Sequence, residues 1–134
     1  MILLDSSAIY ALADGNDPNH ARALSLFRHV LQSREELLVH SSILVEATAL
    51  LQRRLGLDTA LQFLKESESF VIHWVTAGDH QKAVDLLRKQ GRRGLSLVDC
   101  TSFAVMRHYR VSRALAFDAD FEQEGFVLYE GQSG

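Results

Sequence analysis

Residues 115–126 read LAFDADFEQEGF, an apolar run that ends by releasing two aspartates, Asp118 and Asp120, with one alanine between them. The uncharged opening has the character of a buried strand. In an open parallel α/β sheet the carboxyl ends of the strands form the crevice where ligands bind, so an acid just past such a strand points at chemistry. The same acid can be an ordinary turn residue, because Asp after a strand hydrogen-bonds its own backbone and starts the next helix. The surrounding elements decide between the two.

Working outward, the chain alternates strand and helix. Met1–Leu4 reads as a short apolar strand, and Asp5, Ser6 and Ser7 supply capping residue types before the periodic AIYALAD. Asp14–Asn19 is a turn whose Pro18 suits the first position of a helix running to about Leu31. Leu37–His40 is a second strand, Ser41 and Ser42 cap the helix SILVEATALLQRRL, Gly56 ends it, and Leu57 to about Glu68 is again helical. Phe70–Val75, β-branched and aromatic, is a third strand with Trp74 in the core. Asp79–Gln90 is an amphipathic helix closed by Gly91 and the loop Arg92-Arg93-Gly94. Leu97–Tyr109 is helical, Arg113–Phe117 is a fourth strand and Phe126–Tyr129 a fifth. This alternation predicts an α/β fold, a three-layer α/β/α sandwich around a central, mostly parallel sheet. One domain is expected over residues 1–130, with a disordered tail at 131–134.

With 134 residues, 47% apolar and 23% charged, the composition is that of a soluble domain able to bury a sizeable core. The lone Cys100 excludes an internal disulfide, so a reducing compartment is expected. Asp5 interrupts the N-terminal apolar run and no basic segment precedes it, unlike a signal peptide. No apolar run approaches the ~20 residues of a membrane span. The expected location is cytoplasmic, with no membrane partner. A net charge of −3 lacks the broad basic footprint of a nucleic-acid-binding domain, so any such contact must rest on a local patch.

Four carboxylates stand alone in apolar surroundings: Asp5 after the first strand, Glu46 in SILVEATALL, Asp99 in LSLVDCTSFAV and Asp118 after ALAF. Each has a structural reading. Asp5 can cap the first helix, Asp99 completes a capping box with Ser96, and Asp118 can open a turn. Glu46 is harder to dismiss, because Leu44, Val45, Ala47, Leu50 and Leu51 leave its helix little room for a polar face. Taken together, two acids end strands and two lie in opening helical turns at the same sheet edge, where they can converge. Clustered carboxylates resist ionisation unless a cation neutralises them, so an acidic pocket without nearby Lys or Arg implies a metal. Oxygen-only ligation suits Mg²⁺ or Mn²⁺. The chemistry that follows is phosphodiester hydrolysis.

These segments resemble the PIN-domain family, and more narrowly the VapC-type toxins of toxin–antitoxin pairs. LLDSSAIYAL resembles the family's first strand and its terminal acid, SSILVEATALL the segment carrying its glutamate, LSLVDCTSFAVM its third motif, and LAFDADFEQEGF its closing motif of strand, Asp, two residues and Phe. The resemblance covers nearly the whole chain. It implies a PIN-like sandwich and an Mg²⁺- or Mn²⁺-dependent endoribonuclease with Asp5, Glu46, Asp99 and Asp118 as catalytic metal ligands. It further implies a homodimer restrained by a small VapB-like antitoxin. Asp120 becomes an additional, non-ligand or outer-shell acid, and Ser7 either an auxiliary group near the ion or a helix cap. Thr101, Ser102 and Phe103 stand where some relatives carry a further acid, which leaves open whether one ion or two is used.

Arg92 and Arg93, in a glycine-flanked loop before Asp99, are candidate RNA contacts or plain solvated surface. Arg53 and Arg54 meet a helix dipole. The six histidines show no metal-ligand spacing. The alternative to the nuclease is a PIN-like or receiver-like binding or signalling module; the receiver-like form wants a lysine beyond a late strand, and no Lys follows Arg113.

Overall fold

The computed structural model describes residues 1–131, so all but the first residue of the expected disordered tail lies outside the described residues. Five parallel strands, β1 (Ile2–Leu4), β2 (Leu37–His40), β3 (Val71–His73), β4 (Arg113–Leu115) and β5 (Val127–Leu128), form one sheet in the order β3-β2-β1-β4-β5. Between them run α1 (Ser6–Ala13), α2 (His20–Ser33), α3 (Ser41–Leu55), α4 (Leu57–Ser67), α5 (Ala77–Gln90), α6 (Leu97–Tyr109) and the short α7 (Asp120–Gln123). The expected α/β/α sandwich is the fold observed, with a wholly parallel sheet.

The strand order explains the layers. Connections from β1 to β2 to β3 step one way along the sheet, and those from β3 to β4 to β5 step the other way. Right-handed crossovers therefore put α1–α4 on one face and α5–α7 on the opposite face. In agreement, α1 packs on α2 and α3, α3 packs on α4, and α5 packs on α6. The direction reverses between β1 and β4, the topological switch point at which open α/β sheets bind ligands.

Burial on both faces explains the unbroken apolar strands: Ile2, Leu3, Leu4, Leu38, Val39, Ala114 and Leu115 are all buried. Phe103 of α6 meets Phe121 edge-on at 5.3 Å and stacks on Phe126 at 5.6 Å, closing the core beneath α7. Cys100 is fully buried.

Local expectations fail where tertiary contacts intervene. Pro18 lies in the turn, and α2 begins at His20 behind Asn19. Ser41 and Ser42 are the first residues of α3; its cap is His40, whose ring Nδ1 accepts the Ile43 N–H at 3.3 Å. The Ser41 hydroxyl accepts the Val75 N–H instead. The third strand stops at His73, so Trp74 falls in the following loop and is 69% exposed rather than in the core. Thr76 and Asp79 form a capping box that starts α5 at Ala77, before the expected Asp79. Gly56, at φ +102°, allows α3 and α4 to abut with a sharp change of direction.

Candidate metal centre and active site

The site is built where β1 and β4 end. Asp5 directly follows β1, is 4% exposed, and caps α1 by accepting the Ser7 N–H at 3.2 Å. The Ser7 hydroxyl also donates to the same Asp5 oxygen, at 2.6 Å, and accepts the Phe117 N–H at 3.0 Å. One hydroxyl thereby ties the end of β1 to the segment leaving β4. Burial pushes the Asp5 carboxyl from its usual 3.8 up to about 6; the Ser7 hydrogen bonds oppose the rise and the charges of Asp99 and Asp118 add to it.

Asp118 accepts the Asp120 N–H at 2.9 Å in a turn that opens α7. Burial raises its carboxyl, that backbone hydrogen bond opposes the shift, and Asp120 and Asp99 reinforce it. Asp99 enters from the first turn of α6, where it and Ser96 form a reciprocal capping box at 3.0 and 3.1 Å. Asp99, Asp118 and Asp120 each bring a carboxylate oxygen into a group lying within 4.8 Å of one another.

The capping and site readings of these acids are therefore compatible. Asp5, Asp99 and Asp118 each bind backbone through one carboxylate oxygen, which fixes the side chain. Among the described residues the second oxygen of Asp5 and of Asp99 has no protein donor, and the Asp118 carboxyl faces that of Asp120. Such a set of fixed, partly bare carboxylates, with Asp5 and Asp118 held above the ordinary carboxylate range, fits a hard divalent cation.

Two expectations need correction. Glu46 is exposed, because α3 buries Ile43, Leu44, Ala47 and Leu51 and turns Val45, Glu46 and Ala49 outward. It accepts the Ser6 hydroxyl at 2.5 Å, beside Asp5 in sequence but outside the three-aspartate group. Nor is the pocket free of basic groups: the Arg92 guanidinium pairs with Asp120 at 2.8 Å and also donates to Gln123. Arg93 is exposed. Arg53 and Arg54 do lie in the last turn of α3, and Arg54 also sits over the Tyr10 ring at 5.4 Å.

Sequence reasoning missed one buried polar device at this sheet end. His40 is fully buried, and its Nε2 lies 2.8 Å from the Ser102 hydroxyl, one turn beyond Asp99 on α6. Since Nδ1 accepts the Ile43 N–H, Nε2 carries the proton and donates to Ser102, which donates on to the Val98 carbonyl. The available signal was a polar residue closing the apolar strand LLVH.

An α/β/α sandwich with its acids gathered at the switch point is the architecture of a PIN domain, and the PIN-domain family model matches residues 2–126. The chain belongs to the PIN-domain family, as its motifs led us to expect. It is similar to the 23S rRNA-specific endonuclease VapC20 of Mycobacterium tuberculosis, in strains CDC 1551 / Oshkosh and ATCC 25618 / H37Rv alike, with 35% identity over 130 residues covering 95% of this chain and 96% of that protein. The crystal structure of that VapC20, described as a sarcin–ricin loop cleaving toxin, superposes with a TM-score of 0.83 at 32% identity, covering 95% of this chain and 97% of the other.

Proposed function

We propose that this chain is a metal-dependent endoribonuclease and the toxin of a toxin–antitoxin pair, hydrolysing RNA phosphodiesters with Mg²⁺ or Mn²⁺ held by Asp5, Glu46, Asp99 and Asp118. The observation that carries the reading is the convergence of Asp99, Asp118 and Asp120, within 4.8 Å of one another, beside the buried Asp5 whose carboxyl feels the charges of Asp99 and Asp118, at the switch point of a parallel sheet. When bound, the ion supplies an activated water and counter-charge for the phosphoryl oxygens. The protein's own part is positional. Ser7 holds the Asp5 carboxylate and the strand leaving β4 in one register, and the Ser96 box aims Asp99 from α6. Glu46, restrained by Ser6, is the ligand that α3 would contribute from its exposed flank.

Similarity to VapC20 over nearly the full length supports the sarcin–ricin loop of 23S rRNA as the RNA cut. The apolar residues Val45, Leu57, Leu61 and Leu64, exposed along α3 and α4, offer surface for the small VapB-like antitoxin and for a second copy in a homodimer. No described helix is long and apolar enough to cross a membrane, and we place the activity in the cytoplasm, where ribosomal RNA is available.

The test is cleavage of an end-labelled hairpin carrying the sarcin–ricin sequence, with Mg²⁺, with Mn²⁺ and with EDTA, by wild type and Asp5→Ala. A discrete cut that needs metal and vanishes in the variant is the expected result. Intact RNA in every lane, with no heat of metal binding in calorimetry, would leave a PIN-fold binding module as the better description.

A further inference from the structure

An acid cluster at the point of cleavage repels the phosphates it is meant to receive, and the chain's net charge of −3 provides no broad attraction to offset this. The bound ion answers this at the point of cleavage, and a fixed cation at the rim would extend the attraction to the neighbouring phosphates. Arg92 meets both conditions. It follows Gly91, which ends α5 at φ +57°, and its side chain remains 34% exposed. Among the described residues its guanidinium hydrogen bonds all leave from Nη1, to Asp120 and Gln123. Nε and Nη2 have no protein acceptor there, and a planar guanidinium can hold a carboxylate with one edge while offering another to a phosphate.

We propose that Arg92 and Asp120 act as one unit: Asp120 anchors the arginine, and the anchored arginine receives an RNA phosphate beside the aspartate cluster. Asp120 is then a positioning residue for a substrate-binding arginine, which accounts for an acid at the site that carries a guanidinium. The inference rests on the endoribonuclease reading and assigns Arg92 the phosphate contact.

The experiment is fluorescence anisotropy of a fluorescein-labelled sarcin–ricin RNA hairpin in EDTA, so that binding is measured without cleavage. Arg92→Gln weakens binding by about tenfold, the scale of one charge-assisted hydrogen-bonding group. Arg92→Lys recovers only part of it, since one ammonium cannot serve Asp120 and phosphate together. Lys89→Gln, which removes the same charge from the exposed last turn of α5, changes binding by less than about threefold.

Asp120→Asn gives the decisive sign. Removal of a negative charge by itself tightens binding of a polyanion, whereas loss of the anchor weakens it. We expect weakening in the wild-type background and tightening in the Arg92→Gln background. Asp120→Asn that tightens binding in both backgrounds, or Arg92→Gln that binds as wild type, overturns the proposal. Circular dichroism melts establish that each variant is folded; if an Arg92 variant is not, Asp120→Asn in the wild-type background still decides, weakening supporting the proposal and tightening overturning it. Wild type that fails to bind the hairpin in EDTA and also neither binds nor cleaves it with Mg²⁺ overturns the RNA reading itself, before any variant is compared.

Discussion

The Ser7 hydroxyl lies 2.6 Å from Asp5 Oδ2 and donates to it, while its own oxygen accepts the Phe117 N–H at 3.0 Å. This hydroxyl joins the acid that ends β1 to the backbone that delivers Asp118. Ser7→Ala leaves a half-buried N–H without its acceptor and a buried carboxylate with one donor fewer, at a cost of about 1–3 kcal/mol. The Asp5 carboxyl should rise further, because the Ser7 hydroxyl is the largest influence lowering it. Cleavage should fall by at least about tenfold, and Ser7→Thr should restore it. Wild-type melting and rates in Ser7→Ala would show that the hydroxyl ties nothing.

Asp5 should stabilise the active form and destabilise the empty one. Its carboxyl is raised from 3.8 to about 6, so the folded chain retains a proton that the unfolded chain has released. Metal-free stability is therefore full below the unfolded value and is lost as pH rises through about 6, by roughly 2–3 kcal/mol at most. Asp5→Asn, which keeps an acceptor for the Ser7 N–H, should raise the metal-free urea midpoint at pH 7 and lose the stabilisation that Mg²⁺ confers on wild type. An unchanged metal-free midpoint would refute the buried-charge argument.

His40 imposes the opposite slope. Burial lowers its ring from 6.5 to about 4, the charge of His73 lowers it further, and Asp79 opposes both. A protonated ring would aim a donor at the Ile43 N–H. The contribution of neutral His40 is complete above the unfolded value and is lost as pH falls from 6.5 towards 4, by up to about 3 kcal/mol. The stability difference between wild type and His40→Asn should accordingly shrink between pH 7 and pH 4. A constant difference across that range would mean the ring does not titrate in the folded chain as drawn.

Asp99→Asn and Asp118→Asn preserve the capping acceptor while removing the charge. Each should lower cleavage by on the order of 100-fold or more, since even groups behind a metal ligand cost 10–100-fold. Hairpin binding in EDTA should be retained or strengthened, because a negative charge has gone. Loss of RNA binding together with cleavage would indicate a folding defect, and full activity in Asp118→Asn would reduce that acid to turn chemistry.

The sequence by itself determined what short-range physics controls. Apolar runs marked all five strands, and capping residues marked Asp5 and the Ser96–Asp99 box in the roles the structure gives them. The order of the isolated acids carried the family resemblance. Element ends were less legible: His40 displaced Ser41 and Ser42 as a cap because its ring is gripped from α6, and Trp74 left the core because β3 stops two residues sooner, at His73. Those outcomes depend on partners far along the chain.

Tertiary structure alone decided the composition of the site. It gathered Asp99, Asp118 and Asp120, set Glu46 on the exposed flank of α3 against Ser6, and gave Arg92 to Asp120. Local pattern reports which residues can end a strand or cap a helix, because backbone hydrogen bonding at those points is satisfied within a few residues. Which carboxylates meet, and which of them a guanidinium neutralises, follows from the reversal of strand order between β1 and β4, which no local segment encodes.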